Sequence, residues 1–124
     1  MSGAARYRGV ATLVGLLAAW IPFLLHGPIP EKLDRVRLNG AIAVWGWYVA
    51  RMLIGFVVGA TTWPPAWWLR GPLFGALIML PCALVSLGTP GCGPNCMMMN
   101  LATAALVGLL AGGVAWLVTG RSHA

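Results

Sequence analysis

From Leu38 to Thr62 the chain is apolar for long enough to cross a bilayer, and it carries one arginine, Arg51, near the middle of that run. About twenty consecutive apolar residues make a spanning helix, and a charge inside one is costly unless protein or water meets it. Such a segment commits a chain either to lipid or to a large apolar interior. Composition decides between the two. Hydrophobic residues are 60% of 124 and charged residues 8%, whereas soluble domains carry roughly 25% charged residues. One domain of this length has too little interior to hide that much apolar surface. The expectation is an all-α integral membrane protein, a single domain over residues 1–124.

Four apolar runs, at approximately 10–26, 38–62, 66–88 and 96–118, predict a compact bundle of four transmembrane helices. Arg6 and Arg8 ahead of the first run also suit a signal peptide. The run is followed by His26, Gly27 and Pro28 rather than an Ala-x-Ala-like site, so it reads as a retained helix. Pro64 and Pro65 end the second span, and Pro81 is expected to kink the third. Asn95 is placed to cap the fourth. Glu31 and Asp34, the two acids of the chain, share the segment Gly27 to Arg37, which reads as a surface turn or interfacial helix.

Four spans put both termini on one side. Arg6, Arg8, Arg70 and Arg121 fall on that side, and Lys32, Arg35 and Arg37 on the other. The small excess points the termini to the cytoplasm, and insertion in both orientations stays open. The net charge of +6 has no basic cluster behind it. Nucleic acid is therefore excluded as a partner, and anionic lipid headgroups are favoured. Short length and a preference for Arg over Lys associate the chain with a bacterial inner membrane.

Small residues recur every fourth position in each run. Ala11, Gly15 and Ala19 do so in the first, Gly55 and Gly59 in the second, Gly71 and Gly75 in the third, and Ala104, Gly108 and Gly112 in the fourth. Residues four apart share a helix face, so each span carries a flat strip where another backbone can approach closely. These strips predict a tight bundle, self-associated or docked into a larger complex. Arg51 precedes Gly55 by four and Gly59 by eight, which places it on the same strip and turns it toward protein. Its partners are then backbone carbonyls, Asn100, hydroxyls, an acid of another subunit or an anionic ligand. If the interface lies near Trp45, Trp47 and Tyr48, it snorkels to headgroups instead.

Cys92 and Cys96 flank a Gly-Pro-Asn turn, with Met97 to Met99 directly after and Cys82 earlier. The C-x3-C spacing matches neither redox nor zinc motifs. A disulfide, inert thiols, and soft-metal binding such as Cu(I) remain the three readings of this loop. His26 is read as a solvated boundary residue rather than a cofactor ligand. No cofactor or resident metal is expected. With both acids in one loop and no phosphate-cradling motif, no catalytic set can be assembled, and no enzyme is expected.

The leading expectation is an accessory, assembly or stabilising subunit that packs against other membrane helices or against itself. The alternative is a homo-oligomeric channel or carrier for a small anion, with Arg51 on the path and Thr61, Thr62 or Asn100 assisting. Thiol or copper handling at Cys92 and Cys96 is a third.

Overall fold

The computed structural model describes residues 2–21, 41–88 and 93–124, with the backbone alone for 41–44. Among these residues the chain is helical, without strands: α1 spans Gly3–Ala18, α2 Ala41–Ala60, α3 Trp67–Leu87 and α4 Pro94–Thr119.

Local chemistry sets the ends. The α1 helix starts at Gly3 rather than near residue 10, because the Ser2 hydroxyl accepts the Ala5 N–H at 3.2 Å and caps the first turn. Two alanines continue that turn, so Arg6 and Arg8 ride on the helix instead of preceding it. The helix expected to run to residue 26 ends at Ala18, where Ala19 caps it and the Trp20 N–H tightens onto the Leu17 carbonyl at 3.3 Å; residues 22–26, residues 38–40 ahead of α2 and the acids Glu31 and Asp34 lie outside the described residues. The α3 helix runs unbroken through Pro72 and Pro81. Asn95 does not cap α4. Gly93 holds that position without a side-chain hydrogen bond, and Pro94 occupies the first turn. A proline there has no N–H to leave unpaired and its φ is already helical, so the helix begins ahead of the asparagine. At the other end Gly120 takes φ 71° and returns its N–H to the Trp116 carbonyl at 2.7 Å. That left-handed cap is where glycine is required.

Two helices, α3 with 21 residues and α4 with 26, are long and apolar enough to cross a membrane. The described side chains of α2, from Trp45 to Ala60, form a shorter apolar helix. The α3 and α4 helices pair most extensively, followed by α1 with α2; α1 also lies along α4, and α2 touches both α3 and α4.

Two buried layers run along the bundle. One gathers Ala18, Ile54, Val58, Met79, Ala104 and Val107, and the other Tyr7, Ala11, Ala111 and Ala115. Many alanines and glycines pack inward beside these residues, while Leu13 and Leu17 of α1, Leu53 and Phe56 of α2, Leu77 and Leu84 of α3, and Leu106 and Leu117 of α4 are exposed.

Candidate functional site

The four-residue strips meet one another inside the chain. A Cβ added to Gly15 would come within 2.5 Å of the Gly55 Cα and 2.7 Å of its nitrogen, so α1 and α2 touch backbone to backbone. A Cβ on Gly71 would strike the Gly108 carbonyl, and one on Gly75 the Ala104 carbonyl, which places α3 and α4 in the same relation. Gly59 lies against the Arg8 backbone and Gly112 against the Trp67 carbonyl. The strips are therefore occupied within one molecule. The large apolar side chains of the outward faces stay exposed.

Arg70 is the feature that sequence reasoning missed. Its place at the head of an apolar run suggests a boundary charge, yet it is fully buried (0% exposed) at the start of α3. Its Nε donates to the Val58 carbonyl at 3.4 Å, and Nη1 to the Pro64 and Pro65 carbonyls at 3.0 and 3.2 Å. Nη2 donates to the Ser122 carbonyl at 2.5 Å and to the Tyr7 hydroxyl. Five acceptors meet the five N–H groups that a guanidinium offers. All are neutral oxygens, and they come from α1, the last turn of α2, the loop after it and the segment following α4. The carbonyl ends of α2 and α4 carry partial negative charge, which suits a cation placed there. Tyr7 in turn donates its proton to the Ser122 carbonyl at 3.0 Å. The sequence signal available was an arginine heading an apolar span directly after Pro64 and Pro65.

Arg51 is also buried, 5% exposed, but is answered differently. Nη2 donates to the Asn100 Oδ1 at 2.7 Å. Nε is buried and has no acceptor. The guanidinium carbon lies 5.3 Å from the centroid of the Tyr48 ring, one turn earlier on α2, at a distance where cation–π attraction operates. Trp20 stacks on Tyr48 with centroids 5.3 Å apart, and Trp45 meets Trp20 edge-on at 6.0 Å. Tyr48 of α2 thus stands beside the charge, backed by Trp20 from the turn after α1. The structure brings Arg51 and Asn100 together. It does not bring Thr61 to them: that hydroxyl donates to the Val57 carbonyl of its own helix at 2.8 Å, and Thr62 is exposed in the loop. Thr12, Ser86, Thr103 and Thr119 make the same backward bond to their own helices, which spends hydroxyls locally.

Cys82 and Cys96 are half-buried free thiols. Cys92 lies outside the described residues, and with it the expected pairing to Cys96; His26 lies outside them too. Among the described residues no group of three His, Cys, Asp or Glu side chains is assembled that could hold a metal ion.

No protein-family model matches the chain, nor does any curated protein or solved structure.

Proposed function

We propose that this chain is an integral membrane protein, a four-helix bundle of a bacterial inner membrane, that serves as an accessory or stabilising subunit packed against other membrane proteins. The observation that carries the membrane assignment is the set of large apolar side chains on the outward faces. Leucines, with Phe56 and Trp45, face outward on the helices, while glycines and alanines share the interior with Tyr7, Ile54, Val58, Met79 and Val107. In water such faces would be a liability, because monomeric proteins rarely expose more than about a few hundred Å² of contiguous apolar surface. In lipid they cost nothing, and close backbone approach at small residues becomes the main source of helix association.

The subunit role draws on what the polar groups do. Arg70 and the hydroxyls are spent on the bundle itself, which supports a protein that presents surface rather than chemistry. Exposed Trp63 and Trp68 lie at the end of the bundle that also carries Arg6, Arg8 and Arg121, as headgroup anchors do. We place this end in the cytoplasm.

Two measurements test the proposal. Alkaline carbonate washing should leave the protein in the membrane pellet; release into the supernatant refutes the membrane assignment. Native mass spectrometry after gentle extraction should show reproducible, stoichiometric membrane partners, and a lone monomer refutes the subunit role. An anion channel or carrier is favoured by one observation, the half-answered guanidinium of Arg51. Anion flux in proteoliposomes would establish it.

A further inference from the structure

The two buried arginines are opposites in one respect. Arg70 has a neutral oxygen for every N–H group. Arg51 has one protein acceptor among the described residues, the Asn100 Oδ1, and its Nε is sealed from solvent without any. Asn100 spends its oxygen on that contact. Its amide Nδ2, which can only donate, finds no acceptor among the described residues. The guanidinium with its unanswered Nε therefore lies over the Tyr48 ring, on which Trp20 stacks, and no described acid stands opposite the charge. A buried cation with unpaired donors is costly, and what relieves both costs is negative charge.

We infer that Arg51 and Asn100 form a binding site for one small, weakly hydrated inorganic anion of the chloride or nitrate class. Size follows from enclosure: Arg51 is 5% exposed, with the Tyr48 ring beside it and Trp20 stacked on that ring, surroundings that suit a small ion over a bulky headgroup. Single charge follows from the single guanidinium, because a divalent ion would leave excess negative charge buried. Weak hydration follows because the ion must give up water to reach Nε, which solvent does not reach. Occupancy requires a small movement of the Trp20 and Tyr48 wall to admit the ion to Nε. The site is independent of the subunit role: partners could be absent and the anion still bind.

Thermal unfolding of the purified protein in neutral detergent, followed by tryptophan fluorescence, tests this when chloride or nitrate replaces gluconate at constant ionic strength. Ligand that binds only the folded state raises the midpoint with the logarithm of its concentration beyond saturation. The wild type should show that rise, and Arg51→Gln and Asn100→Asp should be flat. Should Arg51→Gln fail to fold, Asn100→Asp, which keeps the arginine and sets a carboxylate against it in place of the ion, decides alone. A combined Arg6→Gln, Arg8→Gln, Arg121→Gln variant should keep the wild-type rise. A flat wild type, an undiminished rise in Asn100→Asp, or loss of the rise in the surface-arginine variant overturns the site. A response to added phosphatidylglycerol but not to chloride or nitrate overturns it as well.

Discussion

Replacing Arg70 with lysine keeps the positive charge and removes the fork. The guanidinium places five N–H groups against five oxygens contributed by four parts of the chain, whereas an ammonium has three. At least two buried oxygens lose their donor. Hydrogen bonds to charged groups are worth about 1.5–3 kcal/mol each. The bond to the Val58 carbonyl is long at 3.4 Å, so the lower figure is appropriate, and two losses come to about 3 kcal/mol, roughly a hundredfold in the unfolding equilibrium. Arg51→Lys is the internal control. It also retains charge, but the original guanidinium had one protein acceptor, so the expected cost is about 1 kcal/mol or less. Unfolding in sodium dodecyl sulfate from mixed micelles, read by the stacked Trp67–Trp116 pair at 5.3 Å and checked by circular dichroism, measures both. Equal costs, or a larger one at Arg51, would refute the idea that Arg70 holds the ends of the bundle together.

Tyr7→Phe removes an acceptor from Arg70 and a donor from the Ser122 carbonyl, and should cost about 1–3 kcal/mol in the same unfolding assay. Gly71→Ile and Gly108→Ile each drive a side chain into the facing backbone; an overpacking cost of about 1–3 kcal/mol is expected. Gly46, with nothing within 4 Å of its added Cβ, should accept alanine with no loss or a gain of up to about 1 kcal/mol. Reporter tags at the N- and C-terminus should report the same side of the membrane in every molecule. Opposite sides would break the four-span topology, and a mixture would establish dual insertion.

The apolar runs of α3 and α4 were legible because span length is written directly in hydropathy: the expected 66–88 and 96–118 differ from Trp67–Leu87 and Pro94–Thr119 by no more than two residues at either end. The start of α1 was not. Hydropathy registers where a run becomes apolar, and the Ser2 cap with two alanines begins the helix seven residues earlier than the expected start at 10. The strip containing Arg51, Gly55 and Gly59 could be read as one face from four-residue spacing alone, and all three are buried. What spacing did not carry was direction: whether Gly15 and Gly71 meet helices of this chain or of another. That depends on which helices are neighbours, and no pattern within one helix encodes it. Arg70 was illegible for a deeper reason. Four of its five acceptors are backbone carbonyls, which every residue possesses.

The same fact explains why the two arginines end so differently. Arg70 follows the Pro64–Pro65 loop and faces the segment beyond the Gly120 cap, where the chain has left its helices and carbonyls point away from any helical ladder. The loop prolines cannot donate, and the last carbonyls of α2 lack an intrahelical partner. Free acceptors concentrate there, and a planar five-donor group can collect them. Arg51 sits well inside α2, and its neighbours on α3 and α4 are also helical, so the surrounding carbonyls are already engaged. Only a side chain can answer it, and Asn100 supplies a single oxygen. A buried guanidinium in mid-helix is thus left short of acceptors by the regularity of the helices that bury it. That shortage is what a bound anion would relieve.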